Sequence, residues 1–100
     1  MRLSVQDQKA IKEILLKHFG AQSRVMVFGS RINDDALGGD IDLYIEPEFH
    51  NPELIVDSKL EALVELKLIL GDQKIDLVIN RKQGTNLPIY QIARESGVLI

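Results

Sequence analysis

The chain has 100 residues, 45% hydrophobic and 27% charged, with a net charge of −3 and no cysteine. That balance fits one small globular domain over residues 1–100 and excludes disulfides and thiolate metal sites. The negative charge argues against extensive nucleic-acid binding, which needs a basic face.

Ser4, followed by Asp7, reads as the cap of a first helix, with Ile11, Ile14 and Leu15 at helical spacing, His18 completing the face and Gly20 ending it. Residues 25–28, Val-Met-Val-Phe, form a short β-favouring run that stops at Gly29 and predicts a strand buried on both faces. A polar, glycine-containing connection occupies 31–39, and residues 40–45, Asp-Ile-Asp-Leu-Tyr-Ile, alternate as a second strand that Pro47 stops. A long helix is expected over 54–70, with Leu60, Leu63, Val64 and Leu70 marking its buried face and Gly71 closing it. Asp57, Lys59, Glu61, Glu65 and Lys67 interrupt this stretch, so it is not expected to span a membrane. Residues 75–79 read as a third strand, Pro88 opens a short last helix that Gly97 closes, and 98–100 is an apolar terminal strand or extension. The order predicts an α/β (α+β) domain, a small sheet backed by helices. With no apolar signal core at the N-terminus, a cytoplasmic location is expected.

The carboxylates carry the chemistry. Strand alternation places Ile41, Leu43 and Ile45 on one face and Asp40 and Asp42 on the other. Two carboxylates roughly 7 Å apart repel by about 2 kcal/mol at an effective dielectric near 20, which a bound cation would reverse. On the third strand, Asp76 lies opposite the face of Ile75, Leu77 and Ile79. If the two strands are neighbours, Asp40, Asp42 and Asp76 converge, and an oxygen-only ligand set favours Mg²⁺ or Mn²⁺. Alone, Asp-x-Asp also fits a solvated strand face.

Gly29-Ser30 follows the first strand directly. A glycine there lets backbone approach a phosphate, and the Ser30 hydroxyl, the following amides and Arg31 are candidate phosphate contacts. Alone it also fits an ordinary turn. Strand, Gly-Ser, a connection with Gly38-Gly39, Asp-x-Asp and a later strand Asp form one phosphate-and-metal constellation.

In Val27-Phe28-Gly29-Ser30-Arg31, Gly39-Asp40-Ile41-Asp42-Leu43 and Lys74-Ile75-Asp76-Leu77-Val78, the chain resembles the minimal nucleotidyltransferases of the DNA polymerase β superfamily. The resemblance implies a mixed sheet backed by helices and a nucleoside triphosphate, ATP, bound with two Mg²⁺. Asp40 and Asp42 would hold both ions; Asp76 would hold one and help activate the attacking hydroxyl. Gly29 and Ser30 would hold the outer phosphates, and a nucleotidyl group would be transferred with release of pyrophosphate. The loop between Ser30 and Asp40 is one residue shorter than in many relatives, and Gly39 stands where many have serine.

Larger members carry a helical substrate-gripping domain for which this chain has no room, so a helical partner protein, or a second copy, is expected. Extra apolar positions on the long helix, Ile55, Val56, Leu66, Leu68 and Ile69, fit a buried core helix or such a contact. Small single-domain relatives resemble the antitoxin half of HEPN–nucleotidyltransferase pairs, which implies transfer of AMP from ATP to a hydroxyl, a tyrosine, of a HEPN toxin. The alternatives are the catalytic subunit of a two-chain small-molecule nucleotidyltransferase, working with a substrate-binding subunit, and a non-catalytic nucleotide-binding antitoxin. His18 is expected to be structural and partly buried, His50 exposed, and Asp34, Asp35, Arg81 and Lys82 solvated. Tyr90 is expected at the core or its rim.

Overall fold

The computed structural model describes residues 3–29, 40–71, 73–81 and 87–100. In chain order these form α1 (Val5–Phe19), β1 (Arg24–Phe28), β2 (Ile41–Glu46), α2 (Pro52–Leu70), β3 (Ile75–Ile79), α3 (Pro88–Ser96) and β4 (Val98–Leu99). The expected α/β architecture with a small mixed sheet is present: strand order is β3-β2-β1-β4, with β1 antiparallel to β2 and β4, and β2 parallel to β3. The parallel pair follows from the β2–α2–β3 crossover, since only a long connection can return the chain in the same direction.

Alternation along the strands sorts two cores. Val25, Val27, Ile41, Leu43, Ile45, Ile75 and Leu77 face α1 and α2, where they pack on Ile11, Leu15, Phe19 and Leu66. On the opposite face Met26, Phe28 and Tyr44 pack under Ala93 of α3, with Val78 and Tyr90 at the margin. Residues 25–28 are all buried because β1 is an inner strand with helices over both faces. Among the described residues no helix is long and apolar enough to cross a membrane.

The caps of α1 match the sequence: the Ser4 Oγ accepts from the Asp7 amide at 3.0 Å, and Gly20 closes the last turn. The long helix departs from expectation twice. It begins at Pro52, because the Asn51 side chain caps it by accepting from the amides of Glu53 and Leu54 and Pro52 opens its first turn. Its buried face is Ile55, Ala62, Leu66 and Leu70, with Leu63 partly buried, whereas Leu60 and Val64 remain 61% and 60% exposed. Ion pairs to α1 accompany that rotation. Glu65 takes Lys17 Nζ and His18 Nε2, each at 2.7 Å, and Glu61 lies 3.4 Å from His18 Nδ1. These contacts aim the 61/65 row at α1 and leave the row Val56, Leu60, Val64 and Leu68 facing outward. His18 is thus the largely buried structural residue expected of it. His50, expected to be exposed, is half-buried, with an Nδ1 that has no hydrogen-bond partner among the described residues.

Candidate active site

The parallel register sets Asp42 of β2 directly beside Asp76 of β3, and the antiparallel register sets Phe28 on the other side of Asp42. All three side chains therefore share the α3 face of the sheet. The end of β1, the middle of the sheet and the β3 edge meet at one point, as the alternation of 40–45 and 75–79 predicts. Asp42 is half-buried and Asp76 exposed.

Asp40 immediately precedes β2, and its half-exposed carboxylate lies 3.9 Å from Lys74 Nζ. Asp42 and Asp76 form a close pair, and the charge of Asp40 also reaches Asp42. Among the described residues, no three His, Asp or Glu side chains are grouped as ligands for one ion.

The electrostatics follow from this crowding. Burial, then the negative charges of Asp76 and Asp40 and a hydrogen bond with Asp76, raise the Asp42 pKa above its ordinary value, while Lys74 pulls it down. Among the described residues Lys74 opposes this negative charge, and the carboxylate donors are all oxygens.

Gly29 has φ +77°, a left-handed conformation that a side chain disfavours. A Cβ at this position would run into the Asp42 carboxylate. The missing side chain therefore lets the turn after β1 pack directly against the Asp42 carboxylate. Ser30 and Arg31, the other expected phosphate contacts, lie outside the described residues, as do Asp34, Asp35, Gly38, Gly39 and Lys82.

A cleft of about 470 Å³ opens beside the pair, lined by Phe28, Asp42 and Asp76, by Lys59 and Leu63 of α2, and by Ile89 of α3. The nucleotidyltransferase-domain family model matches residues 8–100. The chain belongs to the nucleotidyltransferase domain family. Members of this family transfer nucleotidyl groups and generally use a nucleoside triphosphate with a divalent metal. No curated protein matches the sequence.

The donor set of this nucleotidyltransferase fits such a metal: paired carboxylates on neighbouring strands, beside a glycine turn. Mg²⁺ commonly takes only one or two protein carboxylates, with substrate phosphates and water completing its shell. The Asp42–Asp76 pair meets that need without Asp40.

The sequence reading passed over a polar network two residues further along the same face. The Tyr44 hydroxyl donates to Glu46 Oε2 at 2.6 Å and accepts from Asn80 Nδ2 at 2.9 Å, and all three residues are buried. Burial and the hydrogen bond to Glu46 push the Tyr44 pKa up to about 12. The available signal was the alternation that already aligned Asp42, which puts Tyr44 and Glu46 on the same face. The ring of Tyr90 lies 6.4 Å from that of Tyr44, so Tyr90 sits at the rim of this core. The network ties β2 to the end of β3 and so supports the strand pair that carries the acids.

Proposed function

We propose that this nucleotidyltransferase moves AMP from ATP, with Mg²⁺, onto a hydroxyl of a helical partner protein in the cytoplasm, as an antitoxin-type adenylyltransferase that silences a HEPN toxin. The observation that carries the transfer reading is the Asp42–Asp76 pair lying side by side next to the positive-φ Gly29. Asp42 and Asp76 would hold the metal between them, and Asp40 would join a second ion from beside Asp42. When bound, the ions would offset the charge that develops on the phosphates.

The chain's own groups divide the remaining work. Gly29 admits the outer phosphates to the backbone, with Ser30 and Arg31 following it in sequence. Asp76, exposed at the cleft, orients the acceptor hydroxyl and receives its proton. The acceptor oxygen bonds to the α-phosphorus, the bond from that phosphorus to the bridging α–β oxygen breaks, and pyrophosphate leaves with the electron pair.

The outward row of α2 favours a protein acceptor. Val56, Leu60 and Val64 are all more than half exposed, and Leu68 is 80% exposed. A row of four large apolar side chains on one helix is more than scattered surface residues supply, and it suits a helical partner. Co-expression with the product of the adjacent gene tests the reading. Intact-mass spectrometry should show that product heavier by one AMP, and the increment should vanish with Asp42→Asn. Neutralisation by Asp42→Asn with no mass change would transfer the explanation to complex formation alone.

A further inference from the structure

We infer that the acceptor docks as an extended polypeptide segment, apolar and acidic, along the outer edge of β3. The word acceptor rests on the transfer reading; the docking itself rests on the shape and charge of that edge. Among the described residues β3 pairs on one side only, with β2. The cleft runs along its other side, with Lys59 and Leu63 of α2 over one face of the sheet and Ile89 of α3 over the other. The strand contributes Ile75, Leu77 and Val78 to the walls.

This is the shape of a strand-addition site. Main-chain groups of β3 offer hydrogen bonds to an incoming strand, whose alternate side chains would point toward Leu63 on one face and Ile89 on the other. From the β3 edge the cleft reaches the exposed Asp76 and then Asp42 and Phe28, and Gly29 follows Phe28 on the β1 side of Asp42. Phosphates at Gly29 and an acceptor at the β3 edge would therefore flank the carboxylates from opposite sides, as in-line transfer demands.

The charge of the segment follows from Lys59. Its ammonium belongs to the cleft and forms no ion pair among the described residues, so a carboxylate on the incoming segment would meet it. A nucleic-acid acceptor fits poorly. Its affinity would come from phosphate contacts along a basic track, and a single lysine on the cleft wall of a chain of net charge −3 does not supply one.

The test is an amide NMR titration of the intact protein with three probes: a short peptide alternating valine and glutamate around a central tyrosine, its lysine-for-glutamate analogue, and a short single-stranded RNA. The glutamate peptide should shift the amides of β3 and bind more tightly than the lysine peptide. Lys59→Glu, at an exposed site, should weaken the glutamate peptide about fivefold or more and favour the lysine peptide. Equal affinity for both peptides in the native protein and the variant, absence of β3 shifts, or shifts of β3 with RNA alone would each overturn the proposal. ATP with Mg²⁺ added to the same sample should move the amides of Gly29 and Asp42. Its failure to do so would remove the transfer reading while the peptide result still stood or fell on its own.

Discussion

Replacing Asp42 with asparagine should abolish function yet stabilise the metal-free fold. Asp42 and Asp76 are register partners on adjacent strands. At a strand spacing of about 4.8 Å, two full charges repel by roughly 3.5 kcal/mol at an effective dielectric of 20. Asp76 is exposed and Asp42 only half-buried, so water screens most of that, leaving about 1 kcal/mol. The direction of the Asp42 pKa gives the pH dependence. Its folded value is raised, so folding favours the protonated acid; that contribution is complete below the unfolded pKa and is lost as pH rises through the folded one. Asp42→Asn should therefore unfold at higher urea concentration than the native chain at pH 7 in chelator, by about 1 kcal/mol, and the difference should fade toward about pH 3. Adding ATP and Mg²⁺ should reverse the ranking, because only the native chain gains the binding free energy. A variant no more stable than the native protein in chelator at pH 7 would refute the crowding argument.

Gly29→Ala should both weaken ATP binding and destabilise the chain by about 1–2 kcal/mol, from the left-handed backbone and the collision with Asp42; unchanged affinity by calorimetry would contradict the role given to this turn. Tyr44 supplies an alkaline limb: with a folded pKa of about 12 against an ordinary 10, its contribution is intact below pH 10 and is lost as pH rises through 12. That loss amounts to about 2–3 kcal/mol, and Tyr44→Phe should flatten the corresponding part of the stability–pH curve. Leu60→Asp with Val64→Asp should leave thermal stability within about 0.5 kcal/mol, since both positions are exposed, and should eliminate co-purification of the partner. Retained co-purification would move the partner surface off α2.

Sequence legibility tracked the strength of the local signal. Alternation in 40–45 and 75–79 was enough to place Asp42 and Asp76 on one face, and the parallel register then brought them together. The rotation of α2 was not legible in the same way. Apolar residues fill two adjacent rows of that helix, so periodicity alone could not choose between them, and the buried row instead goes with ion pairs from Lys17 and His18 some 47 residues away in sequence. Its true start was readable in Asn51-Pro52, a capping residue followed by a proline suited to the first turn, but the apolar run beginning at Leu54 drew the boundary inward. Asp40 shows the limit of strand alternation at a terminus. It shares a face with Asp42 by parity, yet it lies before the first residue of β2, with its carboxylate 3.9 Å from Lys74 Nζ.

Nucleotidyl transfer by this chain depends on the Asp42–Asp76 carboxylate pair. Incubating the protein and its partner with Mg²⁺ and ATP labelled at either the α- or the γ-phosphate tests this directly. Label should enter the partner from the α position only, and none should enter with Asp42→Asn or Asp76→Asn. Label arriving from the γ-phosphate, or undiminished α-label with both acids replaced, would contradict it.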